Sequence, residues 1–158
     1  MEKPDIIKLS LSILLSLLAG AIGSFFTIDG VQNWYPALNK PWFTPPDWVF
    51  SPIWITLYIL MGVSLFLVWR KGFEKKQVKK GVSVFAVQLV LNALWSILFF
   101  GLRSPLLGFI GISLLWIAIV ANIYFFRKVS KKAAYLLVPY ILWVSLALAL
   151  NLSIYLLN

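Results

Sequence analysis

Gln88 and Asn92 stand four residues apart inside an apolar run, with Trp95 next on the same side and Phe99 one turn on. A second constellation follows a proline. Trp143 comes one turn after Pro139, Ala147 and Leu150 continue its face, and Asn151 is adjacent. A third lies between apolar runs, where residues 27–51 read TIDGVQNWYPALNKPWFTPPDWVFS. Here Trp34, Tyr35, Trp42, Phe43, Trp48 and Phe50 are interleaved with Pro36, Pro41, Pro45 and Pro46. These side chains can stack and share hydrogen bonds, and do little else. Cysteine and histidine are absent from all 158 residues. Disulfides, a thiol nucleophile, zinc sites, His-ligated haem and a His general base are thereby excluded. Five acidic residues are too few for a carboxylate cage. No metal site is expected and no cofactor is required. Hydrolysis and proton transfer are disfavoured for want of a nucleophile or a placed acid–base pair. Oxidation through Trp radicals or photosensitised oxygen is the chemistry left.

Amides and tryptophans each admit two readings. Buried amides need partners, and interhelical hydrogen bonds of ~0.6–2 kcal/mol supply them; a ligand held between helices would do so too. A Trp can belong to the aromatic belt at a membrane surface, which suits Trp48 and Trp69. The density of aromatics and prolines together suits a Pro-braced lid over an aromatic-lined cavity, with a short helix at 34–38. Ala147 after Trp143 leaves room for a flat ligand or for a neighbouring helix.

The elements that must position these groups are apolar runs. The chain is 61% hydrophobic and 12% charged, against about 45–50% and about 25% for a soluble domain. Five runs, at about 6–26, 52–69, 82–102, 106–126 and 133–157, cover 106 of the 158 residues without Lys, Asp or Glu. Each reaches the ~17–25 residues that a membrane-spanning helix needs. Continuous Leu- and Ile-rich runs exclude the alternating ~10-residue segments of a membrane β-barrel. The predicted fold is a single all-α domain over 1–158, a five-helix membrane bundle with a long first outer loop at 27–51. A cleaved signal peptide is the competing reading of the first run, since Lys3 and Lys8 precede it and it contains Ala19-Gly20-Ala21. Continuation of the run through Phe25 and Phe26 favours a retained helix. Its small pairs, Ala19/Gly23 and Gly20/Ser24, suit close helix contact.

The net charge of +9 reports topology. Twelve of the fourteen Lys and Arg side chains, from Lys3 to Lys132, fall on one side of a five-span arrangement. Lys40 and Arg103 fall on the other. The positive-inside rule puts the N-terminus in the cytoplasm and the C-terminus outside. The basic residues sit beside anionic lipid headgroups, and no nucleic-acid partner is expected because no recognition stripe forms. No ionisable residue sits at mid-bilayer, which argues against ion-coupled transport.

The same residues resemble the translocator protein / tryptophan-rich sensory protein family (TspO/MBR, formerly the peripheral-type benzodiazepine receptor). The resemblance runs from the first helix to the C-terminus. It is carried by Trp34-Tyr35-Pro36-Ala37-Leu38-Asn39-Lys40-Pro41, by Trp42-Phe43-Thr44-Pro45-Pro46, and by Phe50-Ser51-Pro52-Ile53-Trp54 with Leu57-Tyr58 and Met61-Gly62. Gln88-Leu89, Leu91-Asn92, Trp95-Ser96 and Phe99-Phe100 continue it, and Pro139-Tyr140, Trp143 and Leu150-Asn151 complete it. The resemblance implies five tightly packed helices, a cavity opening toward the first loop, and homodimers. It implies porphyrins, sterols and isoquinoline- or benzodiazepine-type drugs as ligands. Position by position, it assigns the cavity to Tyr35, Pro45, Trp54, Asn92, Trp95, Phe99, Trp143, Ala147 and Leu150. Trp54 and Trp143 match the pair proposed in the family to break down protoporphyrin with light and oxygen. Two departures stand out: Phe43 occupies a place that is often Trp, and Tyr155 lacks the Lys or Arg that the animal cholesterol motif needs after it.

The function this implies is binding of tetrapyrroles and other flat apolar ligands between the helices, for sensing, transport or stress response. Lys40 and Arg103, the only outer-side cations, could meet porphyrin propionates. The alternatives are a porphyrin-degrading enzyme, and a sterol- or lipid-binding facilitator or partner-dependent regulator. The expected setting is the cytoplasmic membrane of a prokaryote.

Overall fold

A computed structural model describes residues 3–158; the side chain of Lys3, one of the twelve cations counted above, lies outside the described residues. Helix α1 spans Lys3–Asn33 and is followed by a 3-10 turn at Tyr35–Ala37. Helix α2 spans Asp47–Trp69. Helix α3, Lys76–Ser96, ends in a π-helical turn at Ile97–Gly101. Then come α4 (Pro105–Val129), α5 (Lys131–Leu136) and α6 (Val138–Leu157). With α5 and α6 taken as one path, five helices are long and apolar enough to cross a membrane.

Helix α1 outlasts its apolar run by seven residues, so the first loop contracts from 27–51 to 34–46 at its core. Side chains carry the extension. The Thr27 hydroxyl donates to the Gly23 carbonyl at 3.0 Å, and Asn33 Nδ2 donates to Asp29 at 2.8 Å. Asp29 also pairs with Arg103 at 2.9 Å. At 31 residues and 1.5 Å per residue the helix is ~46 Å long, so its final turns rise beyond a ~30 Å hydrocarbon layer. The other boundary difference is at Pro139. The fifth run splits at Leu137 into α5 and α6, because proline has no N–H to donate one turn back and its ring clashes there. Ser104 and Ser130 cap α4 and α5, each accepting a backbone N–H at 3.3 Å.

The exposed surface is that of a lipid-solvated protein. Leu14, Leu18, Ile55, Val90, Leu114 and Leu142 all face outward. The interior holds the polar side chains: Ser64, Gln88, Asn92, Asn122 and Asn151 are buried. Helix α1 packs on α2 and α3, α4 packs on α3 and α6, and α5 packs on α2. Near the α1–α2 crossing Gly62 lets the backbones meet, since a Cβ there would stand 2.5 Å from the Ile13 Cα. Helix α6 barely touches α2. The break at Leu137 lets the path that leans on α2 through α5 move away from it as α6. The gap this leaves, toward the end that carries the 34–46 loop, is the cavity.

Candidate functional site

A cavity of about 360 Å³ lies between α1, α2, α3 and α6 in the half of the bundle nearest the 34–46 loop. Pockets of this kind run from about 300 to 1,000 Å³. One wall is a series of rings. Trp54 stacks on Tyr58 at 5.6 Å and on Trp95 at 5.9 Å, and Trp95 stacks on Phe99 at 6.2 Å. Trp54 and Tyr58 are one turn apart on α2, and Trp95 and Phe99 one turn apart on α3, so the four rings form a continuous face. The π turn widens it, since Phe99 and Phe100, adjacent in sequence, both line the cavity. Opposite, α6 contributes Trp143, Ala147 and Leu150. The Trp143 ring meets Phe50 edge-on at 5.6 Å, and its indole nitrogen is buried without a hydrogen-bond partner among the described residues.

Helix α1 lines the cavity with small residues. Gly20, Ser24, Thr27 and Val31 recur every three or four positions, one face of a helix. Gly20 is required by close approach: any Cβ there would fall within the van der Waals shell of the Tyr58 ring. The lining residues open to the outside are Ala21, Ser24, Asp47, Ser51 and Ile55, all on α1 and α2. The cavity therefore communicates with its surroundings between these two helices.

Beneath the cavity runs a buried polar chain. The Tyr58 hydroxyl donates to Asn92 Oδ1 at 2.6 Å, Asn92 Nδ2 donates to the Tyr140 oxygen at 2.9 Å, and the Tyr140 hydroxyl donates to Gln88 Oε1 at 3.0 Å. Together they join α2, α3 and α6. Near the loop end Trp95 Nε1 donates to Asn151 Oδ1 at 3.2 Å, and Asn151 Nδ2 donates to the Ala147 carbonyl at 2.9 Å.

Seven of the nine residues assigned to the cavity by resemblance line it: Tyr35, Trp54, Trp95, Phe99, Trp143, Ala147 and Leu150. Pro45 and Asn92 do not. Pro45 sits in the loop before α2, and Asn92 is covered by Tyr58 and spends both ends of its amide on tyrosines. Lys40 and Arg103 are also absent from the lining. Lys40 Nζ donates to the Tyr35 carbonyl at 3.1 Å and lies 4.6 Å from that ring's centre, while Arg103 is held by Asp29. Among the described residues, Asp47 is the one charged residue that lines the cavity. Tyr35 is 6% exposed, and its phenol is pushed up to about 12, by burial first and by the Asp47 charge second.

Only part of the loop covers the cavity. Trp34 and Tyr35 pack edge-on against Phe99 at 5.3 and 6.3 Å. The far end is tied down where Asn39 N donates to Asn158 Oδ1 and Asn158 Nδ2 returns to the Asn39 carbonyl, each at 3.0 Å. Trp42 and Trp48 are 95% and 75% exposed and take no part in the lining. Sequence reasoning missed Tyr58 and the α1 stripe as lining. Tyr58 had a signal, being one turn from Trp54. The stripe had the same small pair, Gly20/Ser24, that equally describes a helix contact. Among the described residues no three His, Cys, Asp or Glu side chains cluster as metal ligands.

Comparison with known proteins places these features in one lineage. The model of the TspO/MBR family matches residues 12–157. A tryptophan-rich protein TspO of Archaeoglobus fulgidus is 49% identical over 154 residues, covering 98% of this chain and 99% of that one. The translocator protein of Ovis aries is 40% identical, with 84% and 79% covered. The tryptophan-rich sensory protein of Cereibacter sphaeroides is 32% identical, with 80% and 78% covered.

Proposed function

The chain belongs to the TspO/MBR family of membrane proteins, and on that premise we propose that it binds flat apolar ligands, tetrapyrroles first among them, in the cavity between α1, α2, α3 and α6. The observation that carries the reading is the ring series Tyr58–Trp54–Trp95–Phe99 facing Trp143 across an apolar space. A planar macrocycle gains most from aromatic faces, and the small α1 stripe leaves room for it. No cofactor takes part, and the porphyrin is the ligand. Binding would serve sensing, transport or a stress response. The protein sits in the cytoplasmic membrane of a prokaryote with the N-terminus inside, as the charge asymmetry supports, and works as a homodimer.

The test is titration with protoporphyrin, read by quenching of Trp fluorescence, on the wild type and on Trp143→Phe and Ala147→Trp variants. Filling the cavity with a further indole at 147, beside Trp54, Trp95 and Trp143, should weaken binding at least tenfold. Unchanged affinity in that variant refutes the site.

A second reading, oxidative degradation of the bound porphyrin, is favoured by one feature. Trp54 stacks on both Tyr58 and Trp95, so a ring oxidised at the ligand would have neighbours to share the charge. Retained binding with lost light-dependent product in Trp143→Phe would support it, and unchanged product would sink it. Sterol or lipid facilitation and action through a partner rest on family resemblance alone.

A further inference from the structure

The cavity's electrostatics are the reverse of what a dicarboxylate ligand asks for. Both outer-side cations are engaged outside it: Arg103 on Asp29 at 2.9 Å, and Lys40 on the Tyr35 carbonyl at 3.1 Å. Among the described residues, the one charged side chain that reaches the lining is an acid, Asp47, in the first turn of α2. It forms no ion pair among the described residues. It stands at the opening between α1 and α2, beside Ser51 and one turn from Phe50.

The neighbouring hydroxyls reinforce its sign. The Ser24 hydroxyl donates to the Gly20 carbonyl at 2.8 Å, and the Thr27 hydroxyl to the Gly23 carbonyl at 3.0 Å. Their protons are spent on their own helix, so both present lone pairs to the cavity. Around this rim stand Phe50 and Trp54, whose π faces attract cations, and Tyr35, whose ring already faces the Lys40 ammonium at 4.6 Å. A carboxylate, two hydroxyl oxygens whose protons are engaged within α1, and the rings of Phe50 and Trp54 make a site for positive charge at the edge of an apolar slot.

We infer that the cavity selects flat aromatic ligands bearing a cationic or amine group at the Asp47 edge, and that a tetrapyrrole binds with its carboxylates turned away from that edge. This rests on the cavity being the ligand site and adds the charge and orientation of what enters it. Lys40 and Arg103 then act on the fold of the loop end rather than on propionates.

The test holds the ring constant and varies its charge. Protoporphyrin, its uncharged dimethyl ester and its diamide bearing two tertiary amines are titrated against the full chain in neutral detergent at low salt. Asp47 lies at the rim, where water screens it, so the expected preference is modest. The diamine should bind about three- to tenfold more tightly than the ester, and the diacid more weakly than the ester. In Asp47→Asn the three should fall within about twofold of one another. Raising the salt to ~0.3 M in the wild type should compress the series in the same direction, which keeps the test decisive if the variant does not fold. A diacid that binds as tightly as the ester or more so, or a series unmoved by Asp47→Asn and by salt, overturns the inference. A diacid preference abolished by Lys40→Gln with Arg103→Gln would restore propionate pairing instead. Failure of the uncharged ester to quench any Trp would bring down the ligand site itself, a result distinct from a charge-independent series.

Discussion

Asn92 separates two accounts of the cavity. Family resemblance makes it a ligand contact; its hydrogen bonds make it a structural link beneath the floor. Replacing it with Leu removes the 2.6 Å bond from Tyr58 and the 2.9 Å bond to Tyr140 while roughly keeping the volume. Interhelical hydrogen bonds inside membranes are worth ~0.6–2 kcal/mol each, so two of them amount to about 1–4 kcal/mol. Tyr58 borders the cavity and can turn its hydroxyl toward it, whereas Tyr140 is 1% exposed and keeps Gln88 as acceptor. That favours the lower half of the range. At about 2–4 °C per kcal/mol for a chain of this length, thermal unfolding in detergent should fall by several degrees. A double-mutant cycle isolates the pair: Tyr58→Phe and Asn92→Leu should be non-additive by at least ~0.6 kcal/mol. Protoporphyrin affinity of the folded Asn92→Leu protein should change less than threefold. A variant with wild-type stability and tenfold weaker binding would refute the structural reading and return Asn92 to the ligand.

Gly20→Ala should push the Tyr58 ring off α1, costing ~1–3 kcal/mol as overpacking and weakening porphyrin binding together with stability; chemical denaturation and Trp quenching measure the two. Gly62→Ala presses on the Ile13 backbone, at 2.5 Å, where nothing flexible can yield. It should cost a comparable amount in denaturation with no direct effect on the cavity. Tyr35 has its pKa raised from 10 to about 12 on folding. Its neutral form is the one the fold accepts, so its contribution is complete below pH ~10 and is lost as pH rises toward ~12. The alkaline limb of the stability profile should flatten in Tyr35→Phe by up to about 2–3 kcal/mol between those pH values, read from unfolding midpoints.

Much of this protein is legible in its residues. Five unbroken apolar runs dictate five spanning helices, because a backbone in lipid must satisfy its own hydrogen bonds. Charge placement fixes their alternation, and the lack of His and Cys removes whole classes of chemistry. Trp95, Phe99 and Trp143 stand out by helical spacing, Trp54 comes in only through the family resemblance, and all four line the cavity. The boundary at Asn33 was not legible. Thr27, Asp29 and Asn33 read as loop residues, and what keeps them helical is bonding one turn apart and a pairing with Arg103, 74 residues away.

Tertiary packing alone decided which polar groups face the cavity. Asn92 and Asn151 are both amides inside apolar helical runs, and the sequence does not tell their surroundings apart. The approach of Tyr58 and Tyr140 from two other helices seals the first under the floor, while the second stays in the cavity wall. Lys40 and Asp47 are seven residues apart in one loop segment. The sequence singles out Lys40 as a rim charge and passes over Asp47; only the seating of Lys40 on Tyr35 and the start of α2 at Asp47 leave the acid, not the base, on the cavity. Residue type fixes what a side chain can do, but burial and partners are set by elements far apart in the chain, and local pattern carries no information about them.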